Sequence, residues 1–333
     1  MVKKLKNNWT NWHHIFHKSI LNSENFMPDG IKLLISVSGG QDSMALMTLL
    51  DDIKEHHNWS LNVWHGNHKW HNESEKIAKE LQNYCVQKKI IFHADIADKI
   101  DISTEEKARK WRYRKLYEKA SEICAKHKNY NKLYIVTGHT CTDNTETFLL
   151  NLARGSNFGG LSGIPRKRLL NKDYFLVRPL MIFSRNDTSA ICKKLKIPFW
   201  VDPTNSDTKL KRNLIRHKVI RELEGIYPGC SYRINNFSEK MKNYNQERSE
   251  LCELAITSCL CDDGIKRSAL NDLCEQTRAT LLHYLLSKRC KQEINSKNID
   301  DLSKQIFKKI YGQKYFLNGV KVIWNKNLIK IVS

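Results

Sequence analysis

The chain has 333 residues, 41% hydrophobic and 27% charged, enough apolar material for two or three globular domains. Lys and Arg number 56 against 35 Asp and Glu, a formal charge of +21, which favours a polyanion such as nucleic acid over a neutral metabolite as partner. No apolar stretch approaches the roughly 18 residues needed to span a bilayer, so no membrane partner is expected. The opening "MVKKLKNNWTNWHHIFHKSI" has lysines but no apolar segment after them, so a secretory signal is not expected either. The ten cysteines include no CxxC pair. Free buried thiols in a reducing compartment follow, the cytoplasm or a plastid stroma.

Residues 1–30 read as a helix with Trp9, Trp12 and Phe16, then a turn at Pro28-Asp29-Gly30. "IKLLISVS" is a short apolar run of the buried-strand kind, and "MALMTLLDDIKEHH" has helical spacing. "SLNVWHGNH", "IIFHADIA", "KLYIVTGHT" and "YFLVRPLM" read as further strands. The helices between and after them are "ESEKIAKELQNYCVQKK", "STEEKARKWRYRKLYEKASEICAKHK", "DNTETFLLNLARG" with a Gly-rich loop, and "SRNDTSAICKKLKI". This alternation predicts an α/β domain with a parallel sheet covered on both faces. It stops near Asp202; "KLKRNLIRHKVIRELEGIYPG" reads as a helix, and helical spacing runs from Ser231 to about Cys290. Short strands follow, with a hairpin turn at Asn318-Gly319. The expected division is residues 1–224, with a core at 31–215, and a smaller, mainly helical region at 225–333.

"SVSGGQDSMALM" sits where the first strand meets the first helix of that pattern, the place where parallel sheets bind ligands. Gly39 and Gly40 let backbone N–H groups converge on an anion, and the helix start adds its positive end. Ser38 and Ser43 add hydroxyls. The stretch has neither the Gly-Lys-Ser/Thr of a Walker loop nor the spacing of a dinucleotide fingerprint. A plain capped strand–helix turn is the alternative. Farther on, Asp143 and Glu146 lie three apart and share one helical face. Their plain alternative is a pair of acids favouring a helix N-terminus. For Arg109 and Arg112, also on one face, the alternative is a solvated basic surface.

"SGGQDS" resembles the SGGxDS signature of the PP-loop ATP pyrophosphatases. The resemblance implies a Rossmann-like domain that splits ATP between its α- and β-phosphates. Ser38, Gly39, Gly40, Gln41, Asp42 and Ser43 would hold the pyrophosphate, and Asp42 a magnesium ion. "GHTCTDNTETFLLNLARGSNFGGLSGIP" resembles the HHxxDDxxET…L…RG…GL block of the tRNA(Ile)-lysidine synthases. His139, Asp143, Glu146, Thr147, Arg154, Gly155, Gly160 and Leu161 match it. Thr140 stands where that family has its second His, and Thr142 where it has its first Asp. "NHKWHNES" resembles the DHGLR…ES segment through His68, with His65-Gly66 as a competing register. "EEKARKWRY" matches ExxARxxRY at Glu105, Ala108, Arg109, Arg112 and Tyr113. Arg178 matches the RPL element, and Asp202, Asn205, Asp207, Arg212, Asn213 and Arg216 match W-x-DPSN…RNxxR. The likeness covers roughly residues 31–224.

What this resemblance implies is the ATP-dependent joining of free L-lysine to the wobble cytidine of the CAU anticodon of tRNA(Ile). An adenylated cytidine would be the intermediate, and pyrophosphate and AMP the leaving products. Asp42, Asp143, Glu146, Arg109 and Arg112 would be catalytic, and His68 and His139 would join the loop at the nucleotide. Arg154, Arg178, Arg212 and Arg216, with Asp143 and Glu146, would contact lysine or tRNA. Residues 225–333 would grip tRNA, and the likeness also admits a homodimer. A PP-loop tRNA thiolase is a rival, but its sulfur-carrying CxxC is absent. A small-metabolite ligase gains nothing from +21, and a non-catalytic tRNA-binding module has no need of Asp42, Asp143 and Glu146.

Overall fold

The structure, a computed structural model, describes residues 9–70, 73–98, 104–125, 133–170, 174–201, 211–261, 264–290, 294–316 and 319–332. The chain divides into two compact units, Met1–Met241 and Lys242–Ser333. In the first, β1 (Lys32–Ser36), β2 (Ser60–Asn67), β3 (Ile91–Ile96), β4 (Leu133–Thr137), β5 (Lys167–Leu169) and β6 (Tyr174–Val177) form one sheet in the order β3-β2-β1-β4-β6-β5. The pairs from β3 to β6 are parallel, and β5 runs antiparallel to β6 at the edge. The basic "KRL" of β5 carries no apolar alternation, so the sequence gives no sign of this strand.

β1 shows why the sheet is buried on both faces. Leu33 and Ile35 pack with Phe16, Leu46, Leu50 and Ile53, whereas Leu34 points the other way to Trp64, Trp111 and Leu116. The first layer is built by α1 (Asn11–Leu21), α2 (Gln41–His57), α3 (Ser74–Gln87) and the later α7 (Arg185–Leu195). α4 (Glu105–Ala125) covers the opposite face. Leu46 and Leu50 of α2 are fully buried. Truncating such a side chain costs about 2–5 kcal/mol, so the core fixes where α2 begins. The chain winds outward from β1 to β3, then returns to β4 on the other side of β1. The carboxyl ends of β1 and β4 therefore flank a switch point, where an open α/β sheet forms a crevice.

After β4 come α5 (Cys141–Ala153) and α6 (Phe158–Leu161), a single turn inside the segment expected to be loop. Asn144 holds this segment: its Oδ1 accepts from Ile164 N at 2.7 Å. Beyond α7, α8 (Lys211–Leu214), a π-helical turn (Ile215–Ile220) and α9 (Arg221–Ile226) follow one another, then α10 (Cys230–Cys259). The division at Met241 lies within α10, later than the expected 224/225. The Tyr227-Pro228-Gly229 turn does end a helix, but the next helix begins by packing back on the first unit. Ser231 O accepts from Thr145 Oγ1, Asn235 Oδ1 from Asn144 Nδ2, and Ser238 Oγ donates to Leu161 O.

The second unit interrupts the expected helical run with β7 (Leu260–Cys261) and β8 (Gly264–Lys266). α11 (Ser268–Asn271), α12 (Glu275–Arg289) and α13 (Ser296–Lys308) precede β9 (Gly312–Tyr315), β10 (Lys321–Trp324) and β11 (Leu328–Val332). The strands form an antiparallel sheet in the order β7-β8-β11-β10-β9. Leu282, Leu286, Leu302, Ile306, Val322, Trp324 and Ile329 fill its core. Asn318 of the expected hairpin turn lies outside the described residues. Among the described residues no helix is long and apolar enough to cross a membrane.

Candidate active site

The crevice at the switch point is a cavity of about 680 Å³. Its floor is the turn from β1 into α2. Gly39 has φ +90, and a Cβ there would lie 3.1 Å from both Ile77 Cγ2 and Trp200 Cε3. A Cβ on Gly138, at the end of β4, would come within 3.2 Å of Ser43 N and Cα, so a glycine lets β4 approach the start of α2. The two serines fasten the turn to itself. Ser43 Oγ donates to Gly40 O at 2.9 Å and accepts from Ser38 N at 3.2 Å, while Gly40 N donates to Ser38 Oγ at 3.3 Å. The first N–H groups of α2 have no carbonyl above them and point their positive end at the cavity, an arrangement suited to phosphate.

Asp42 lines the same cavity, its side chain 16% exposed. Its Oδ1 accepts from Thr188 Oγ1 at 2.5 Å, and its Oδ2 pairs with Arg185 Nη1 at 3.0 Å. Burial raises its carboxyl above the usual carboxylate range; Arg185 pulls against that, and the charge of Asp143 adds to it. Gln41, by contrast, turns its amide to α7: Nε2 donates to Arg185 O at 2.8 Å and Thr188 Oγ1 at 3.0 Å.

On the β4 side, Thr140 caps α5. Its N–H and Oγ1 donate to Asp143 Oδ2 at 2.8 and 2.9 Å, and Asp143 N reaches back to Thr140 Oγ1 at 3.4 Å, a reciprocal capping box. Arg216, from the π-helical turn, joins the two acids. Its Nη2 lies 3.2 Å from Asp143 Oδ1, and its Nε donates to Glu146 Oε1 at 2.5 Å. Burial works to raise the Asp143 carboxyl, but His139, Arg216 and the Thr140 bonds outweigh it and hold it below the ordinary range. Glu146 is 1% exposed; burial and the charge of Asp143 raise its carboxyl despite Arg216. Burial pushes His139 down to about 4, so its ring is neutral at pH 7. Its Nδ1 lies 3.0 Å from Thr137 Oγ1.

The structure thus brings Ser38, Gly40, Asp42, Ser43, His68, Arg109, Arg112, His139, Asp143, Arg212 and Arg216 to one cavity. The β2 register settles the choice of histidine only in part. His65 and His68 both line the wall, His65 with Nδ1 2.8 Å from Val37 O and His68 stacked on Trp70. Five expected site residues take other positions. Gly39 shapes the floor from behind and Gln41 faces α7. Glu146 is sealed under Arg216. Arg178, 2% exposed, donates from Nη1 to Pro165 O at 2.5 Å and so fixes the loop after α6. Arg154 lies exposed at the C-cap of α5, outside the cavity. Asp202, Asn205 and Asp207 fall outside the described residues. The two departures from the family pattern have clear local roles: Thr140 is the cap just described, and Thr142 Oγ1 accepts from Arg185 N at 3.1 Å.

Sequence reasoning missed Arg185 and Thr188, and gave Trp200, the Trp of the W-x-DPSN element, no part in the site. A signal for Arg185 exists: Ser184 and Asp187 form a capping box, so Arg185 opens a helix beyond the carboxyl end of β6. Trp200 N donates to Gly39 O at 3.0 Å, a contact across the fold that no local pattern announces.

Residues 13–223 match the PP-loop domain family. The chain is 51% identical over 324 residues to a tRNA(Ile)-lysidine synthase of Prochlorococcus marinus subsp. pastoris, covering 97% of this chain and 96% of that one. A second such synthase, from another Prochlorococcus marinus strain, is 39% identical over 331 residues, 99% and 98% of the two chains. A chloroplastic tRNA(Ile)-lysidine synthase of Pyropia yezoensis is 36% identical over 209 residues, 63% of this chain and 61% of that one. Among solved structures, the U34-tRNA thiolase NcsA of Methanococcus maripaludis shares the fold, with TM-score 0.54 at 16% identity over 69% of this chain and 77% of that one. With its loop, cavity and acids arranged as described, the chain belongs to the tRNA(Ile)-lysidine synthase family, an enzyme built on a PP-loop ATP-binding domain.

Proposed function

We propose that this enzyme joins free L-lysine to the wobble cytidine of the CAU anticodon of tRNA(Ile), through an adenylated cytidine. The observation that carries this reading is the sharing of one cavity by the phosphate-binding turn and an ionised acid, Asp143. ATP would place its β- and γ-phosphates at the start of α2, against the loop N–H groups. The cytosine 2-carbonyl oxygen attacks the α-phosphorus and pyrophosphate leaves with the bridging electron pair. The lysine ε-amine then attacks the activated carbon and AMP leaves. Arg109 and Arg112, exposed on α4 at the cavity wall, are placed to meet phosphate charge from ATP or the tRNA backbone.

The second step needs lysine held by its ammonium and then deprotonated. Free lysine has a pKa near 10.4, so about one in 10³ is neutral at pH 7. Asp143 suits the holding role: it faces the cavity, and its carboxyl is kept below the ordinary range. The same low basicity favours anchoring over accepting the proton, which passes to solvent water before the amine attacks. Glu146, buried behind Arg216, acts by orienting that arginine.

Magnesium belongs to this reading as the companion of ATP. Among the described residues no group of three or more His, Cys, Asp or Glu side chains could hold a metal. Magnesium with a nucleotide takes one or two carboxylates, water and substrate phosphates, and Asp42 is a hard oxygen donor at the loop. When bound it would neutralise phosphate charge. The test supplies ATP and labelled lysine with bulk tRNA. Label attached to one isoleucine tRNA is the expected result; label on protein, or none, overturns the reading.

A further inference from the structure

Arg185 is the first residue of α7 and is ion-paired to Asp42 of the phosphate-binding turn. Its guanidinium pairs with Asp42 at 3.0 Å, lines the cavity, and is 32% exposed, so it can reach a ligand there. Its backbone is held at both ends. The N–H donates to Thr142 Oγ1 at 3.1 Å, and the carbonyl accepts from Gln41 Nε2 at 2.8 Å. The backbone is pinned from two side chains while the guanidinium rests on one carboxylate oxygen. That carboxylate also accepts from Thr188 Oγ1 on its other oxygen, so it stays anchored if Arg185 leaves.

We propose that Arg185 is a pyrophosphate ligand of the adenylation step, neutralising Asp42 in the resting site and turning its guanidinium to the β- and γ-phosphates when ATP arrives. The inference rests on the adenylation reading above. In that step the base O2–Pα bond forms and the bridging bond from Pα to the leaving group breaks. The electron pair departs on pyrophosphate, and Arg185 donates hydrogen bonds without giving up a proton. A planar guanidinium presents two parallel N–H donors, which suits phosphate oxygens. Its release also frees Asp42 at the moment when phosphate charge enters. Thr142 is then a positioning residue, setting where the guanidinium starts.

The test measures binding of inorganic pyrophosphate, with chelator present, to the full chain by calorimetry. Wild type, Arg185→Gln and Arg185→Lys are compared, each first checked for an unchanged melting transition. Loss of charge-assisted hydrogen bonds should weaken pyrophosphate binding roughly ten- to a hundredfold in Arg185→Gln, with partial recovery in Arg185→Lys. Thr142→Val should weaken it less, and none of the three should change the KM for lysine. Equal pyrophosphate affinity in wild type and Arg185→Gln overturns the role of Arg185 and leaves the adenylation reading standing. Tighter binding in Arg185→Gln also overturns it, because Arg185 would then only occupy Asp42. A wild-type chain that binds neither pyrophosphate nor ATP brings down the adenylation reading and this inference together. If Arg185→Gln melts early, Arg185→Lys decides: wild-type affinity with a single ammonium in place of the fork overturns the fork's role.

Discussion

Burial raises the Asp42 carboxyl, and the sign of that shift sets two expectations. A group whose pKa is higher in the folded state contributes stability at low pH, and that contribution is lost as pH rises through the folded value. Ionised Asp42 therefore works against folding at neutral pH, although the phosphate site needs it. Asp42→Asn should melt no lower than wild type near pH 8, while AMP formation on added tRNA falls by at least about a hundredfold, the scale of one positioned polar group in an active site. Wild-type activity in this variant would exclude Asp42 from ATP chemistry. In the native enzyme the acid limb of pyrophosphate release should lie above the ordinary carboxylate range. Asp143 gives the opposite case, since Arg216 and Thr140 keep it ionised. Asp143→Asn should raise the KM for lysine about tenfold or more, as loss of a charged partner does, and leave pyrophosphate release running. A single-turnover assay that follows pyrophosphate and lysidine separately checks this. Loss of both products would move Asp143 to the nucleotide side.

At the scale of elements, what was legible in the sequence is what local chemistry encodes. The apolar runs of β1, β2 and β4 and the Gly-Gly turn into α2 are short-range patterns, and they locate the cavity floor. The Asp143 and Glu146 spacing is also local, but its consequence is not. Both acids lie on one face, yet Asp143 opens to the cavity while Glu146 is sealed, because Arg216 arrives from a segment 70 residues later. Arg178 was placed at the substrate by its motif, and its burial could not be read without β5, a strand with no apolar signature. The compact units divide at Met241, beyond 224/225, for the same reason: Ser231, Asn235 and Ser238 are polar and exposed-looking in sequence, but each bonds back to α5 or α6. This difference predicts the outcome of shortening the chain. A chain ending at Met241 should keep its melting transition and ATP binding. One ending at Glu224 uncovers Thr145 and Asn144 and should melt markedly lower, by several degrees for each 1 kcal/mol lost. Equal melting of the two would show that the start of α10 contributes nothing to the first unit.

For the whole molecule the deciding quantity is charge. A chain at +21 meets a tRNA through many phosphates, and each neutralised phosphate releases counterions. The logarithm of affinity should then fall linearly with the logarithm of salt, by about 0.7–0.9 per phosphate contacted. Six to ten contacts would lower affinity by about 10³ to 10⁵ between 50 and 200 mM salt. ATP binding, confined to one cavity, should change far less over that range. The second unit enters through the same slope. If Lys242–Ser333 holds tRNA at phosphates of its own, the chain ending at Met241 should bind tRNA more weakly and show a shallower slope, because fewer counterions are released. Its ATP affinity should match that of the full chain. In that case the full chain, joining two modest contacts through one polypeptide, gains from the raised effective concentration of the second contact. Filter binding of tRNA at several salt concentrations, run on both chains, separates the outcomes. Equal affinity and equal slope would place every phosphate contact on the first unit and leave the second without a role in gripping tRNA.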